Sequence, residues 1–305
     1  MSASLARLFE ELRPAAFAIA YRMLGSVSEA EDVVQEAFLR LHRMLREGER
    51  VESPRAYLST VVTRLCIDQL RSARARRERY VGEWLPEPLL ASDEADPARH
   101  AEVADSLSLA FLVLLESLSP EQHAAFLLRE VFDYPYDQIA RIVGKSEDNT
   151  RQLVTRARRQ VQEGRPRFEA SRERREVLAR RFFAAAVDGE LEALEELLAH
   201  DVVLHGDGGG KAPALAHPVH GRAKVARTLL AWFRAGARIG GVSLQAAEVN
   251  GQPGALLFDP EGRLVTVLSV DVADGQVQAI RSIVNPDKLR HLGPTANLGE
   301  QPAGD

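Results

Sequence analysis

The sequence predicts a multidomain protein in which two all-α domains are followed by an α+β domain. Amphipathic helical periodicity fills most of residues 1–165, with one interruption. That interruption is a stretch rich in proline and acidic residues at 81–108. After residue 171 a helical segment gives way to apolar runs that read as β-strands, the usual sign of a separate α+β domain.

Five segments follow from these shifts in pattern. A length of 305 residues exceeds that of a typical single domain, so more than one compact part is expected. The expected parts are a first helical domain at 1–80, a linker at 81–108, a second helical domain at 109–165, an α+β domain at 171–292 and a disordered tail at 293–305.

Charge is distributed unevenly along the chain. The net charge of −5 is made up of +3 over residues 1–80, −10 over 81–150, +7 over 151–181 and −5 over 182–305. The two basic blocks indicate a polyanion such as DNA as a partner, although solvated helix faces would give the same counts.

Several classes of protein are disfavoured by composition. The one cysteine, Cys66, permits no internal disulfide framework and fits a reducing cytoplasm. The N-terminus shows no signal-peptide pattern, and no apolar run approaches the ~18 residues of a membrane span. With scattered histidines and one cysteine, no metal site and no cofactor are expected. We therefore expect a cytoplasmic protein without membrane association.

The first helical domain shows two helix starts. Ser28 and Glu31 have capping-box spacing, and Ser53 before Pro54 predicts a second N-terminus. The first of these helices carries an acidic surface with one exposed apolar residue, formed by Asp32, Gln35, Glu36 and Leu39. DNA would repel that surface, so a protein partner is expected there. The second helix becomes rich in arginine towards its end.

The second helical domain contains a helix-turn-helix pattern. Gly144 ends one amphipathic helix and Ser146 caps the next, with only Lys145 between them. On the last helix Leu153, Ala157 and Val161 form the predicted buried stripe. The opposite, basic face is typical of a helix that enters the major groove of DNA.

The α+β domain offers an enzyme as an alternative. Asp274-Gly275 between two apolar runs predicts a hairpin. The candidates for acid–base chemistry are His205, Asp207, Lys211 and Asp271, but no paired constellation stands out among them, so surface or structural roles are favoured and no catalytic residue is predicted.

The segment "DGGGK" at 207–211 invites a comparison with phosphate-binding loops. Such loops space their glycines as GxxxxGK[ST] before a helix, whereas here Pro213 follows closely on the lysine. Three glycines instead permit positive φ and close backbone approach. We therefore expect an inter-domain contact with Asp207 and Lys211 as its polar anchors.

Three ordered motifs resemble one family. "AYRMLGSVSEAEDVVQEAFLRLHR", "SPRAYLSTVVTRLCIDQLRSARARR" and "LSPEQHAAFLLREVFDYPYDQIARIVGKSEDNTRQLVTRARRQV" resemble extracytoplasmic-function sigma factors over nearly all of residues 5–163. The resemblance implies a region 2 helical bundle and a region 4 helix-turn-helix. Core RNA polymerase (the β′ clamp helices and the β subunit) and promoter DNA would then be the partners.

The resemblance also implies roles for individual residues. The β′ clamp helices would be bound by Asp32, Gln35, Glu36 and Leu39. The loop Leu45–Glu52 would capture an unstacked −10 base. The −10 element would be contacted by Arg64, Asp68, Arg71 and Arg74. The −35 element would be contacted by Ser146, Asn149, Thr150, Arg151, Arg156 and Arg158.

The remaining motifs resemble the subgroup that carries a fused SnoaL-like (NTF2-like) cone domain, which is understood to act as a built-in regulator. The motifs "WLPEP", "DGGGK" and "NPDKL" imply regulatory inter-domain contacts by Trp84, Leu85, Pro86, Glu87, Pro88, Asp207, Gly208, Gly209, Gly210, Lys211, Asn285, Pro286, Asp287, Lys288 and Leu289. Two further interpretations stay open at this point: a small effector in the cone cavity, and a helix-turn-helix transcription regulator with a small-molecule-sensing SnoaL-like domain.

Overall fold

The computed structural model describes residues 3–77, 80–90, 106–164, 171–238 and 240–299. The chain divides into two compact units. The first is formed by residues 1–78 and 112–165, and the second by residues 79–111 and 166–305. The described parts of the linker between the two helical domains, residues 80–90 and 106–111, therefore fold with the C-terminal domain.

The first unit consists of helices. Their bounds are α1 Ala3–Leu24, α2 Val27–Arg46, α3 Pro54–Arg77, α4 Leu109–Leu115 (which begins in the second unit), α5 Pro120–Glu130, α6 Tyr136–Val143 and α7 Glu147–Gly164. Helices α1–α3 pack on one another, α5–α7 form a second group, and α5 also packs on α1 and α3. The two helical domains thus lie together in one unit.

Local capping accounts for most of these helix starts. Ser53 accepts from the N–H of Ala56, and Ser119 forms a full capping box with Gln122. The start expected at Ser28 was wrong, because Ser26 accepts from the N–H of Glu29 and α2 begins at Val27. Ser28 lies inside the helix, with its hydroxyl 3.1 Å from that of Ser26.

The second unit is a mixed sheet with helices. Its elements are α8 Arg172–Asp188, α9 Leu191–Leu197, β1 Leu198–Asp207, β2 Val219–His220, α10 Arg222–Arg238, β3 Ser243–Val249, β4 Gln252–Phe258, β5 Leu264–Ala273, β6 Gln276–Ile283 and α11 Pro286–Leu289. The strand order is β2-β1-β6-β5-β4-β3, with β1 and β6 parallel and the other pairs antiparallel. Helices α8–α10 pack on the sheet around one apolar core.

Two features of this unit bear on expectations from the sequence. The hairpin expected at Asp274-Gly275 is present between β5 and β6, and both residues have positive φ. The disordered tail expected from residue 293 was wrong for residues 294–296. Pro294 O accepts from Leu264 N at 2.8 Å, and Ala296 N donates to Leu264 O at 2.9 Å. Residues 300–305 lie outside the described residues.

Candidate functional site

The turn between α6 and α7 has the geometry that the sequence predicts for a helix-turn-helix. Gly144 has φ 67° and donates its N–H to Ala140 O, while Ser146 Oγ accepts from Asn149 N at 3.3 Å. On α7, Val154, Ala157 and Val161 are buried, whereas Leu153 is only half-buried. The residues assigned to the −35 element that lie exposed on the turn and on α7 are Ser146, Asn149, Arg151, Arg156 and Arg158.

Thr150 departs from this pattern. Its side chain is fully buried, and its hydroxyl donates to Ser146 O at 2.9 Å. Because a buried side chain cannot reach a base edge, the expected −35 contact by Thr150 was wrong. The start of α7 at Glu147 turns Thr150 inward, one helical turn before Val154.

Two of the exposed arginines are held in place by neighbours. The Arg151 guanidinium lies 4.3 Å from the centre of the Tyr136 ring and 2.5 Å from Glu147 Oε1. Arg158 donates to Glu130 Oε1 at 2.7 Å, and this hydrogen bond raises the pKa of Arg158. Both charges remain on the exposed face of α7.

The acidic surface on α2 has the exposure that a protein-docking site requires. Asp32 and Gln35 are exposed, and Leu39 is 47% exposed, which is unusual for a large apolar side chain. Glu36 is half-buried and accepts from Arg40 Nε at 2.7 Å.

The residues of α3 assigned to the −10 element contact the second group of helices. Arg64 donates to the carbonyls of Arg141 and Ile142, at 2.8 and 3.1 Å, at the end of α6. The C-terminus of a helix carries partial negative charge, so it attracts this guanidinium. The side chain of Arg74 lies outside the described residues.

Arg71 joins α3 to the first turn of α5. It donates to Asp68 at 3.1 Å on its own helix and to Glu121 at 2.6 Å. The hydrogen bond from Arg71 lowers the pKa of Glu121. Arg71 and Arg64 are therefore both engaged by the region 4-like helices.

Buried contacts accompany these ion pairs in the first unit. His123 is 2% exposed, and its Nε2 lies 3.1 Å from Arg22 O. Arg22 itself lies 5.5 Å from the centre of the Phe132 ring, and burial lowers its pKa to about 10. Sequence patterns missed these contacts, because each joins residues about a hundred positions apart.

In the second unit the three motifs meet around Asp207, which is fully buried at the end of β1. Its carboxylate accepts from Tyr80 Oη at 2.6 Å, from Leu85 N at 2.8 Å and from Lys288 Nζ at 2.6 Å. Asn285 donates to Tyr80 Oη at 2.8 Å. We call Tyr80, Trp84, Asp207, Asn285 and Lys288 the Asp207 cluster.

Lys288 is the cation of this cluster. Its ammonium lies 4.9 Å from the centre of the Tyr80 ring and 4.4 Å from that of Trp84, and it also donates to Leu85 O. Burial and the hydrogen bond to Asp207 raise the pKa of Tyr80, so its hydroxyl stays protonated and donates.

Asp207 and Lys211, the two polar anchors expected in "DGGGK", have different partners. Lys211 is exposed and pairs with Asp287 at the start of α11, whereas Asp207 is buried against Lys288. The buried cation beside Asp207 therefore comes from "NPDKL" and not from "DGGGK".

Close steric contacts explain why glycine occupies two positions of "DGGGK". A Cβ on Gly208 would overlap Ala212 O, and a Cβ on Gly209 would overlap the Asn285 amide and the Tyr80 hydroxyl. Gly209 also has φ 58°, which disfavours other residues. The loop can therefore reach the Asp207 cluster only with glycine at these positions.

The described linker residues after Trp84 are held within the second unit. Leu85, Pro86, Glu87 and Pro88 are buried, and His291 Nε2 lies 2.8 Å from Pro88 O. Asn250, at the turn between β3 and β4, accepts from Leu89 N at 2.8 Å and donates to Leu107 O at 2.9 Å. Both ends of the linker are thus hydrogen-bonded to one side chain.

A cavity of about 420 Å³ lies between α10 and the sheet. Apolar groups, including Leu229, Trp232 and Phe233, line most of it, and Thr266 and Ser282 add hydroxyls. Among the described residues that line it, none is acidic, basic or histidine. General acid–base chemistry needs such a group facing the substrate.

The acid–base candidates from the sequence are instead engaged elsewhere. His205 Nδ1 lies 2.7 Å from Glu83 Oε1, and Asp271 accepts from Arg281 at 2.5 Å. Over the described ranges, no group of three or more His, Cys, Asp or Glu side chains could hold a metal. Burial raises the pKa of the Cys66 thiol, which makes it a poor nucleophile. No described helix is long and apolar enough to cross a membrane.

Comparison with known families divides the chain in the same order as the motifs. Sigma-70 region 2 matches residues 8–76, Sigma-70 region 4 matches 108–161, and a SnoaL-like domain matches 179–284. The "ECF RNA polymerase sigma factor SigJ" of Mycobacterium tuberculosis is 39% identical over 306 residues, covering 97% of this chain and 96% of the relative. The chain belongs to the extracytoplasmic-function sigma factors.

Further comparisons agree with this assignment. The "Probable ECF RNA polymerase sigma factor SigI" of M. tuberculosis H37Rv is 35% identical over 283 residues. The match covers 92% of this chain and 92% of the relative. The crystal structure of M. tuberculosis SigJ has a TM-score of 0.76 and 35% identity, covering 95% of this sigma factor and 100% of that chain. This sigma factor directs transcription initiation. The region 2 match sets it apart from a simple helix-turn-helix regulator.

Proposed function

We propose that this sigma factor is autoinhibited, and that its C-terminal domain favours the inhibited state by holding the linker. One observation carries the proposal: Arg64 and Arg71, assigned to the −10 element, are bound by α6 and α5. A guanidinium engaged in this way is less available to promoter DNA. Separation of the region 2 and region 4 helices then favours promoter binding.

The linker supplies the connection to the C-terminal domain. It joins α3 to α4, yet residues 80–90 and 106–111 belong to the C-terminal unit. The Asp207 cluster and Asn250 hold it there. When both ends of the linker are bound, fewer of its residues are free to span the distance between the two promoter-binding domains. This restricts how far the two domains can separate.

The polymerase and promoter surfaces follow the assignments above. Asp32, Gln35, Glu36 and Leu39 would bind the β′ clamp helices, with the β subunit as a further contact. The promoter would be bound at −10 by Arg64, Asp68, Arg71 and Arg74, and at −35 by Ser146, Asn149, Arg151, Arg156 and Arg158. Exposure of the α2 and α7 faces supports these roles. Since core polymerase works in the bacterial cytoplasm, we place the protein there.

We also propose that the SnoaL-like domain is a regulatory module and not an enzyme. The support is the absence of any titratable side chain from the lining of its 420 Å³ cavity, within the part of the chain that the structure describes. An uncharged, apolar effector would fit such a lining. Pro213 and Ala214, which border the cavity, lie in the loop that follows "DGGGK".

Run-off transcription with core polymerase tests the regulatory role. We compare the full chain with a chain stopped before Asn285, which lacks Lys288, and a chain stopped near Ser171. The first truncation should raise the transcript yield, because Asp207 then lacks its cation and the linker is released. Unchanged activity in both truncations would contradict any regulatory role for the C-terminal domain.

A further inference from the structure

The outer side of α8 carries apolar side chains that the fold does not cover. The inner side of this helix packs in the apolar core of the C-terminal unit. On the outer side Val177 and Val187 are 43% and 54% exposed, and Leu191, at the start of α9, is also exposed. These three are half of the large apolar side chains found exposed among the described residues. Exposed apolar side chains grouped in one place indicate a protein contact, whereas scattered ones do not.

Ala184 lies at the middle of this outer face. Val177 lies seven positions before it and Val187 three positions after it, which is the spacing of neighbours on one side of a helix. Ala184 is itself exposed. Because the distance between two packed helices depends on the side chains at their contact, a small residue here permits a close approach by another helix.

The charges on the same side are separated along the helix. Arg180 and Arg181 precede Ala184, whereas Asp188 follows it, and all three are exposed. Within the part of the chain that the structure describes, neither Arg181 nor Asp188 forms an ion pair. The outer face is therefore basic before its midpoint and acidic after it.

We propose that this face binds the same face of a second copy of the chain, with the two α8 helices antiparallel. A two-fold axis beside Ala184 makes such a contact self-complementary. Arg181 lies three positions before Ala184 and Asp188 four positions after it, so each Arg181 comes level with Asp188 of the partner subunit. A partner of unrelated sequence would need these charges in reverse order, which a second copy supplies by symmetry.

The length of α8 limits the strength of this dimer. Its 17 residues span about 25 Å. One pair of helices of that length gives a contact no larger than the lower end of the range of about 1,200–2,000 Å² typical of stable complexes. We therefore expect a reversible dimer with a dissociation constant on the order of 10 µM.

Analytical ultracentrifugation of the full-length chain, at concentrations up to about 200 µM, tests the dimer. The mass should approach twice the 33.6 kDa of one chain. Arg181→Asp and Asp188→Arg should each weaken self-association at least about tenfold, because each turns both symmetry-related attractions into repulsions. An equimolar mixture of the two variants should recover the wild-type association, because opposite charges face each other again in the mixed dimer.

Val187→Ser is a second kind of variant, which keeps every charge and should also weaken association. The matched control is Arg234→Asp, the same charge reversal at an exposed arginine on α10, and it should have no effect. Melting temperatures check that each variant is folded. No polymerase or DNA is present, so the result is independent of the autoinhibition proposal.

Four results would each overturn the dimer. The wild-type chain could stay a monomer at the highest concentration. The charge variants or Val187→Ser, when folded, could associate as tightly as the wild type. The mixture of Arg181→Asp and Asp188→Arg could fail to associate although both are folded. Arg234→Asp could weaken association as much as Arg181→Asp does.

Discussion

At the scale of single residues, Lys288 and Asp207 matter most for regulation. Their side chains are 8% and 0% exposed, so neither charge is solvated by water. Removing one partner of a buried pair leaves an uncompensated charge and typically costs about 3–5 kcal/mol. Here the uncompensated carboxylate would lie where Tyr80 and Leu85 of the linker are bound. The linker should therefore bind the C-terminal domain less tightly.

Thr150 and Asn149 provide a matched test of promoter reading. Asn149→Ala removes an exposed amide at the start of α7, and loss of a base contact there should cost about 1–3 kcal/mol and relax preference within the −35 element. Thr150→Val keeps the buried shape, so promoter preference should stay as in the wild type. Competition binding of the holoenzyme to promoter variants measures both. A change in preference with Thr150→Val as large as that with Asn149→Ala would contradict the burial argument.

Residue type and spacing marked the correct segments, but two residue-scale details were not predicted. The −35 role of Thr150 came from the resemblance alone, whereas the Ser146 cap and the buried Ala157, seven positions later, place Thr150 on the inward face. Asp207 finds its cation, Lys288, 81 positions away. Local sequence carries no information on such distant pairings.

At the scale of elements, the contact between α3 and α5 provides a test of autoinhibition. Glu121→Gln removes the carboxylate that Arg71 binds without altering α3. The pair is partly exposed, so it should contribute no more than about 1 kcal/mol. Run-off transcript should therefore rise by at most about fivefold.

Glu173→Gln is the control, since Glu173 is exposed on α8 in the other compact unit. Its transcript yield should match that of the wild type. Equal yields from Glu121→Gln and the wild type would show that the Arg71 contact does not limit promoter use.

Helices and hairpins differed from the sheet in how far they could be predicted. Apolar periodicity with Gly144 and Ser146 was enough for the helix-turn-helix, and Asp274-Gly275 was enough for one hairpin. The second hairpin turns at Asn250-Gly251, both with positive φ, and this local signal was overlooked. The parallel pairing of β1 with β6 has no local signal, because the strands are about 70 residues apart.

At the scale of the whole molecule, the order of the three parts was visible from the sequence, and the division into compact units was not. The resemblance implied inter-domain contacts for "WLPEP", but the linker at 81–108 was still expected as a segment separate from the C-terminal domain. Its described ends instead fold as part of the C-terminal unit, through side chains far apart in sequence such as Tyr80 and Lys288. We propose that this attachment of the linker restrains the sigma domains.

Run-off transcription by core polymerase with full-length Lys288→Met tests that claim most directly. Tyr80→Phe, which removes one hydrogen bond to Asp207 from the linker side, is a milder second variant. Lys224→Met, at an exposed lysine on α10, is the control. We predict a several-fold higher transcript yield with Lys288→Met, a smaller rise with Tyr80→Phe and no change with Lys224→Met. Unchanged or lower yield with both cluster variants, folded as shown by their melting temperatures, would contradict the account.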